Sequence, residues 1–213
     1  LAYLPSYGRV RLRLTARGLE EAPLKSSLGE KVTELRTLVK DIFVGDEENT
    51  SIERAVNELL LKEGQTLSLA ESCTGGHISK MITGIPGASN FLKGALVAYS
   101  AEVKTKLLGV EQELINKHSV VSKEVAMQMA LQCQKLFDTD YAISTTGNAG
   151  PTTDETDKTV GVVIIAIASQ SGVYAEEFFF GKPRAKVIER ASVKALELLR
   201  KEILKNSVNS LPD

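Results

Sequence analysis

Histidine is scarce in this sequence of 213 residues, and its scarcity narrows the catalytic possibilities. Only His77 and His118 are present, so a Ser-His-Asp triad would have to use one of them. His77 follows Ser72 within an expected helix, where contact with that hydroxyl is not expected. His118 precedes a strand-like stretch and is expected at the surface. The sequence therefore does not favour a histidine base.

The sequence also has few cysteines, no long apolar run and a small net charge. Cys73 and Cys133 provide no disulfide framework, so a reducing, cytoplasmic compartment fits. No apolar run reaches the roughly 18 residues of a transmembrane helix, no signal peptide is visible, and no Cys/His cluster has zinc spacing. A formal net charge of −1 argues against nucleic acid as the main partner. The chain begins at Leu1 within a strand-like pattern, from which we expect a longer parent protein.

Three arginines at alternate positions form a basic stripe near the start of the chain. Arg9, Arg11 and Arg13 alternate with apolar residues, which is typical of a half-buried strand. Their favoured interpretation is a solvated outer face, and contact with phosphate is the alternative. The lack of interleaved aromatic residues also counts against nucleic-acid binding.

Hydrophobic periodicity predicts two domains. Residues 1–45 are interpreted as a small β-α-β unit: a strand at 9–14, a helix capped by Ser27 and Glu30 after a break at 23–27, and a short strand at 42–44. Such a unit is too small to bury an adequate core by itself.

Residues 51–206 are predicted to form an α/β domain, a three-layer sandwich whose mixed sheet is flanked by helices. Helices alternate with strands, and the last two strands, 160–168 and 173–180, form a hairpin around Ser171 and Gly172. The earlier predicted strands are the apolar run at 66–70, 94–99 and 141–144.

A small-residue turn after the first of these strands is the leading candidate site. Ser72, Cys73 and Thr74 are possible nucleophiles, and Gly75 and Gly76 follow them. The next helix is expected to begin near 74–76. Its first N–H groups and its positive dipole end would then face a ligand over the turn.

A second turn of the same type, 145–151, is expected after the strand at 141–144. Ligands collect at the carboxyl ends of strands in open α/β sheets, where backbone N–H groups bind phosphate or an oxyanion. Glycine turns also occur for packing alone, and that alternative stays open. Neither turn carries a nucleoside-triphosphate or dinucleotide signature, and Ser72 does not lie in G-x-S-x-G.

Lysine remains as a candidate base. Lys104 follows Tyr99, just past a buried strand end. A lysine desolvated there would have a lowered pKa and could accept a proton from Ser72. The alternatives are a solvated helix lysine and, for Tyr99, an aromatic residue at the edge of the core.

Three separate motifs together resemble one known family. They are Ala70-Glu71-Ser72-Cys73-Thr74-Gly75-Gly76, then Tyr99-Ser100-x-Glu102-Val103-Lys104 with Leu107-Leu108-Gly109-Val110, and Gly147-x-Ala149-Gly150-Pro151. Over residues 51–205 the chain is similar to the CinA C-terminal domain, the nicotinamide-nucleotide amidohydrolase (NMN deamidase) family. Residues 1–45 resemble the small linking domain of full-length CinA. The resemblance implies an upstream molybdopterin-binding-like domain with a metal-dependent pyrophosphatase activity.

The resemblance implies hydrolysis of the carboxamide of nicotinamide mononucleotide (NMN) to nicotinate mononucleotide and ammonia, with no metal or cofactor. It implies that Ser72 is the nucleophile, that Lys104 is the general base and that Tyr99 lines the site. We also expect a homo-oligomer, because the apolar hairpin strands would suit a dimer interface. The residues expected to bind substrate are Thr74, Gly75, Gly76, Thr146, Gly147, Gly150 and Arg184.

Three segments depart from the family pattern. Ala101 stands where the family usually has Asn, and residues 158–161 read Lys-Thr-Val-Gly instead of Lys-Pro-Val-Gly. Residues 181–184 read Gly-Lys-Pro-Arg, one residue longer than the family's Gly-Asp-Arg. These departures keep an alternative open, namely a catalytically decayed nucleotide-binding or scaffold module of a competence- or damage-inducible protein.

Overall fold

The computed structural model describes residues 1–6, 9–40, 42–46, 50–153 and 158–209. The chain divides into two compact units, Leu1–Thr50 and Ser51–Asp213. Within the described residues, no helix combines the length and the apolar composition needed to cross a membrane. The elements, in chain order, are β1 (Ala2–Ser6), β2 (Arg9–Arg13), α1 (Glu21–Leu38), α2 (Ile52–Glu63), β3 (Leu67–Glu71), α3 (His77–Thr83), a 3-10 turn (Ala88–Asn90), β4 (Leu92–Val97), α4 (Ala101–Lys106), α5 (Gln112–His118), α6 (Lys123–Phe137), β5 (Tyr141–Gly147), β6 (Val162–Ser169), β7 (Gly172–Phe179) and α7 (Arg184–Asn209).

The first unit has the order β-β-α, so the predicted β-α-β order is wrong. Ile42–Val44 forms no strand, whereas β1 pairs with β2 as an antiparallel hairpin, with Pro5 opposite Val10. A proline within an apolar run argues against a central strand, but a two-stranded sheet has only edge strands, where a missing N–H costs little. The strand containing the alternating arginines is confirmed.

Helix α1 begins seven residues earlier than the capping box at Ser27 predicts, with Glu20 at the N-cap position. Pro23 lies in the first turn of α1, where its missing N–H has no intrahelical partner to lose. The break predicted at 23–27 is therefore wrong. None of the described residues of this unit is buried, so apolar burial within the unit contributes little to its stability.

The second unit is built on a five-stranded mixed sheet, which confirms the predicted fold class. The strand order is β4-β3-β5-β6-β7. Strand β3 lies parallel to both β4 and β5, whereas β6 and β7 run antiparallel to their neighbours. The hairpin around Ser171 thus converts a parallel sheet into a mixed one, as the sequence predicts.

Helices cover both faces of the sheet and make three layers. Helices α2, α3 and α7 bury their apolar stripes on one face, against alternate residues of β3, β5 and β6. Helix α6 packs on the other face, with Cys133 in the core as expected. Strand β6 reads Val-Val-Ile-Ile-Ala-Ile-Ala-Ser and is buried along its whole length, as a central strand covered on both faces should be.

Several element ends carry clear local signals. Ser51 caps α2, and the hydroxyl of Ser100 accepts the Val103 N–H at the start of α4. Gly64 ends α2 with a left-handed backbone. The carboxyl ends of β3 and β5 lie side by side, with Glu71 opposite Thr145. The two sequence-predicted turns therefore meet at one edge of the sheet.

Candidate active site

A buried lysine contacts a buried serine at this edge. The Nζ atom of Lys104 lies 3.0 Å from the Oγ atom of Ser72, and the two residues are 2% and 7% exposed. The amine also donates to the carbonyl oxygens of Ala98, at 2.8 Å, and Tyr99, at 3.2 Å. Ser72 and Lys104 are 32 positions apart, and the fold brings them into hydrogen-bonding contact.

The two carbonyls orient the amine of Lys104. A carbonyl oxygen can only accept, so Ala98 and Tyr99 each take one N–H of the amine. The amine also donates to the Ser72 Oγ atom in this structure, whereas a neutral amine, with two N–H groups and one lone pair, would turn that lone pair to the Ser72 hydroxyl. Burial disfavours the charged form of a lysine. The arrangement therefore suits proton acceptance from Ser72.

The start of helix α4 determines that the side chain of Lys104 reaches Ser72. The side chain of Ser100 caps the helix and its carbonyl accepts the Lys104 N–H. Side chains on a helix incline towards its amino terminus, so Lys104 reaches back under the end of β4. Lys106 lies two positions further along, is exposed and pairs with Glu102 at 2.7 Å. The position within the helix therefore decides which of the two lysines enters the site.

The turn that holds Ser72 is fixed through its backbone. The Ser72 N–H donates to the carbonyl of Thr145, and the Gly75 N–H donates to the carbonyl of Ser72. Gly75 and Gly76 have φ angles of 60° and 91°, a left-handed conformation that non-glycine residues adopt only with strain. The glycines are thus required by the shape of the turn.

The amino terminus of α3 does not face a ligand, so that part of the sequence-based interpretation is wrong. The buried carboxylate of Glu71 accepts the N–H groups of Gly76, Ile78 and Ser79, at 3.0, 3.1 and 2.8 Å. It also accepts the hydroxyls of Thr74 and Ser79. A carboxylate buried without such donors would cost several kcal/mol. Glu71 fills the anion position that we had expected a substrate group to occupy.

Two other amides of the turn are available. Of the turn amides, those of Ser72, Gly75, Gly76 and His77 donate to protein acceptors. Among the described residues, no backbone carbonyl accepts from the amides of Cys73 and Thr74, and the Cys73 amide interacts with its own thiol. They directly follow the candidate nucleophile, where many hydrolases place a donor for the oxyanion.

The thiol next to Ser72 is unsuited to nucleophilic attack. Burial raises the pKa of Cys73 to about 12, and the nearby Lys104 offsets only part of that increase. The thiolate is the reactive form of cysteine, so Cys73 is unreactive near neutral pH. Burial likewise raises the pKa of Cys133, to about 11.

Neither histidine enters the pair. His77 begins α3 and its Nδ1 atom is buried with no partner in the described structure. His118 ends α5 and its Nδ1 lies 3.8 Å from a carboxylate oxygen of Glu124. In the described residues, no histidine makes a hydrogen bond with Ser72 or Lys104.

The second turn lies beside the first, but its threonines point in different directions. Strand β5 continues to Gly147, so Thr145 and Thr146 belong to the strand and not to the turn. The hydroxyl of Thr146 donates to the Val120 carbonyl at 2.7 Å, whereas that of Thr145 contacts the Thr74 hydroxyl at 2.8 Å. Thr145, which the sequence did not single out, is therefore the threonine bonded to the Ser72 turn.

The glycines of the second turn serve close packing. A Cβ atom on Gly147 would lie 2.5 Å from the Val162 carbonyl, and one on Gly150 would lie 2.6 Å from a methyl of Val160. Gly150 also has a φ angle of 87°. Because these two positions have no side chain, β6 and the loop before it can lie close to the end of β5. The roles of these glycines in substrate binding stay predictions.

Arg184 joins this loop to the end of β4. Its Nη1 donates to the Gly150 carbonyl at 2.7 Å, and its Nη2 donates to the Tyr99 hydroxyl at 2.8 Å. The ring of Tyr99 is 58% exposed, and its backbone carbonyl contacts Lys104. Arg184, Tyr99 and Lys104 thus lie along one connected path, although α7 follows β4 by more than eighty residues.

Two of the three atypical segments lie against each other. A Cβ atom on Gly161 would come within 2.4 Å of the Gly181 carbonyl, and the Phe180 N–H donates to the Gly161 carbonyl. The segments 158–161 and 181–184 therefore meet at Gly161 and Gly181. Ala101 is the first residue of α4, directly after the capping Ser100.

A cavity of about 400 Å³ lies elsewhere, at the carboxyl end of α6. Thr139, in its wall, precedes β5, so the cavity is at the opposite end of the sheet from Ser72. Its remaining lining residues are Leu131, Gln132, Gln134, Lys135 and Asp138. This set lacks the paired nucleophile and base found at Ser72. In the described part of the chain, no cluster of His, Cys, Asp and Glu could hold a metal ion.

Comparison with known proteins places the chain within a family. Residues 49–203 match the family model of the CinA C-terminal domain. The chain is 52% identical over 206 residues to a CinA-like protein of Flavobacterium psychrophilum, covering 97% of this chain and 49% of that protein. The chain therefore spans about half the length of the curated relatives it matches.

Solved structures agree with this placement. The competence damage-inducible protein A of Klebsiella pneumoniae superposes with a TM-score of 0.70 at 27% identity, covering 72% of this chain and 95% of that chain. The competence/damage inducible protein CihA of Agrobacterium tumefaciens gives a TM-score of 0.67 at 32% identity, covering 70% and 91%. In both comparisons the share of this chain that superposes is no larger than the second unit, Ser51–Asp213.

Proposed function

Because this chain belongs to the CinA family, we propose that it hydrolyses the carboxamide of NMN to nicotinate mononucleotide and ammonia. The observation that carries the proposal is the buried contact between Ser72 and Lys104, at 3.0 Å. A nucleophilic hydroxyl beside a desolvated amine is a known variant of the serine-hydrolase arrangement. The choice of NMN as substrate is supported by the resemblance of the three motifs to those of NMN deamidases.

The proposed reaction proceeds through an ester on Ser72. Lys104 accepts the hydroxyl proton while Oγ attacks the carboxamide carbon. The negative oxygen that forms accepts hydrogen bonds from the backbone amides of Cys73 and Thr74. The carbon–nitrogen bond breaks as Lys104 returns the proton to the leaving nitrogen, which departs as ammonia. Water then attacks the ester, Lys104 again moves the proton, and nicotinate mononucleotide leaves. No step uses a metal.

The nucleotide phosphate requires a cation or N–H donors. Glu71 occupies the amino terminus of α3 with its negative charge, so we propose Arg184 as the cation. The guanidinium has five N–H donors, and its contacts with Gly150 and Tyr99 leave others for an incoming phosphate. The extra residue in 181–184 does not keep Arg184 from this edge of the sheet, which supports a retained site.

One assay tests the proposed function. Ammonia release from NMN should be measured with a chelator present, and nicotinate mononucleotide should appear in equal amount. Nicotinamide riboside and a simple aromatic amide would serve as comparison substrates. No ammonia from NMN, with a correctly folded chain at high concentration, would contradict the proposal.

The second candidate is a decayed nucleotide-binding or scaffold module. Ala101, in place of the family's usual Asn at the start of α4, is the observation in its favour. This candidate predicts that calorimetry detects NMN binding while no turnover occurs. Binding together with turnover would exclude it.

Arg184→Ala should raise the KM for NMN about tenfold or more, because a hydrogen bond to a charged group contributes about 1.5–3 kcal/mol. The KM for nicotinamide riboside, which has no phosphate, should change little. Initial rates with both substrates check this. Arg54→Ala, an exposed position on α2, is the matched control. Equal losses with both substrates would mean that Arg184 acts by holding Tyr99 and not by binding phosphate.

A further inference from the structure

Glu71 is a buried charged residue to which the proposed reaction assigns no step. It ends β3, directly before Ser72, and is 1% exposed. Five hydrogen bonds reach its carboxylate, and all five come from residues of the turn and the first turn of α3. Each donor that it accepts fixes part of the segment between Ser72 and α3. Its contacts are therefore those of a residue that shapes the turn.

The hydroxyl next to this carboxylate gives the network a direction. The hydroxyl of Thr74 donates its one proton to the Glu71 carboxylate, at 2.7 Å. Thr74 then has only acceptor capacity left for its 2.8 Å contact with Thr145. The chain of hydrogen bonds runs from Thr145 through Thr74 to Glu71.

Thr145 forms hydrogen bonds with the turn at two points. Its hydroxyl donates into this chain, and its carbonyl accepts the N–H of Ser72. Ser72 is thus tied to β5 by its own backbone and, through Thr74, by the turn that follows it. Strand β5 pairs with β3 in the sheet, so the network connects the nucleophile to a neighbouring strand as well as to its own.

We propose that Glu71, Thr74 and Thr145 form a positioning network that holds the Ser72 hydroxyl against the amine of Lys104. The side chains of the three do not touch the reacting atoms in this scheme, although the backbone amide of Thr74 faces the negative oxygen. They act through the backbone of the turn. The inference deepens the proposed function, because it specifies what keeps the nucleophile in place at the proposed site.

Thr145 provides a clean test, since valine has nearly the same shape and lacks only the hydroxyl. Thr145→Val should lower kcat about tenfold and leave the KM for NMN within about twofold, because small misplacement of a reacting group lowers the rate more than the binding. Thr145→Ser keeps the hydroxyl and should restore kcat. Glu71→Gln replaces an acceptor oxygen with a donor facing other donors, and should lower kcat about 100-fold.

Thr139→Val is the matched control. Thr139 is also buried, and its hydroxyl contacts the Ser68 hydroxyl at 2.8 Å. It lies before β5, at the other end of the sheet from Ser72. This substitution removes one buried threonine hydroxyl as well, so it should lower thermal stability similarly without changing kcat.

A second readout does not depend on the substrate. Phenylmethanesulfonyl fluoride reacts with activated serines, and mass spectrometry with peptide mapping gives its rate of reaction at Ser72. The labelling rate should fall in Thr145→Val and Glu71→Gln, recover in Thr145→Ser and stay unchanged in Thr139→Val. If Glu71→Gln fails to fold, the comparison of Thr145→Val with Thr145→Ser still tests the positioning network.

The outcomes separate this inference from the proposed function. Unchanged labelling and unchanged kcat in folded Thr145→Val and Glu71→Gln would overturn the inference alone. If Ser72 is labelled but NMN is not hydrolysed, the substrate assignment fails and the labelling series decides the inference. If NMN is hydrolysed without labelling, the kcat series decides it. If neither reaction occurs, both proposals fall.

Discussion

Ser72→Ala should lower kcat for ammonia release from NMN by at least about 10³-fold, because the proposed reaction passes through an ester on its hydroxyl. The substitution removes one small buried group, which lies 3.0 Å from the amine of Lys104. Ground-state binding does not depend on that hydroxyl in the scheme, so the KM or the dissociation constant for NMN should change little. Coupled ammonia detection and calorimetry measure the two quantities separately.

The neighbouring thiol should not replace the lost hydroxyl. Burial raises the pKa of Cys73 to about 12, which leaves almost no thiolate at neutral pH. Ser89→Ala supplies a matched control, since Ser89 is exposed in the 3-10 turn Ala88–Asn90 and should retain full turnover. If Ser72→Ala keeps the rate of the unsubstituted chain, Ser72 is not the nucleophile and the ester route is wrong.

The pairing of Ser72 with Lys104 could be anticipated from the sequence, and the reason is physical. Both residues directly follow or lie near the carboxyl ends of apolar strands, and such ends meet at one edge of a parallel sheet. The shortage of histidine then left lysine as the base. The 3.0 Å contact agrees with that reasoning.

The role of Glu71 could not be anticipated in the same way. Its amide partners at Ile78 and Ser79 lie seven and eight positions ahead, and only the folded turn brings them to the carboxylate. The available signal was an acidic residue just before a helix start, where a negative charge interacts favourably with the helix dipole. The sequence predicts a ligand at the first N–H groups of the helix, whereas Glu71 of the protein itself accepts those N–H groups.

The ends of strands account for two further differences between the sequence-based interpretation and the structure. Successive residues of a strand point to opposite faces, so the extension of β5 through Gly147 separates Thr145 from Thr146. The family resemblance had drawn attention to Thr146, whose hydroxyl bonds to Val120. In the first unit, the strand-like pattern at Leu1 corresponds to β1, which tolerates Pro5 because both strands of a two-stranded sheet are edge strands.

Lys104→Met should lower kcat by about 10²–10⁴-fold, the range that general-base catalysis typically contributes. Methionine fills similar space without a nitrogen, so the hydroxyl of Ser72 loses its proton acceptor. The carbonyls of Ala98 and Tyr99 also lose a donor, at a cost of about 1–3 kcal/mol for each group left unsatisfied. Thermal unfolding must therefore be measured beside turnover, so that a loss of folded protein is not mistaken for a loss of catalysis.

Lys104→Arg decides between a base and a fixed positive charge. Arginine keeps the charge but has no lone pair with which to accept a proton, so it should be about as inactive as Lys104→Met if the amine acts as a base. Lys106→Met, in the same helix, removes an exposed lysine that pairs with Glu102 and should leave kcat unchanged. Activity retained in Lys104→Arg would mean that the site needs only a cation beside Ser72. The lone pair that Ala98 and Tyr99 direct towards the serine would then have no catalytic part.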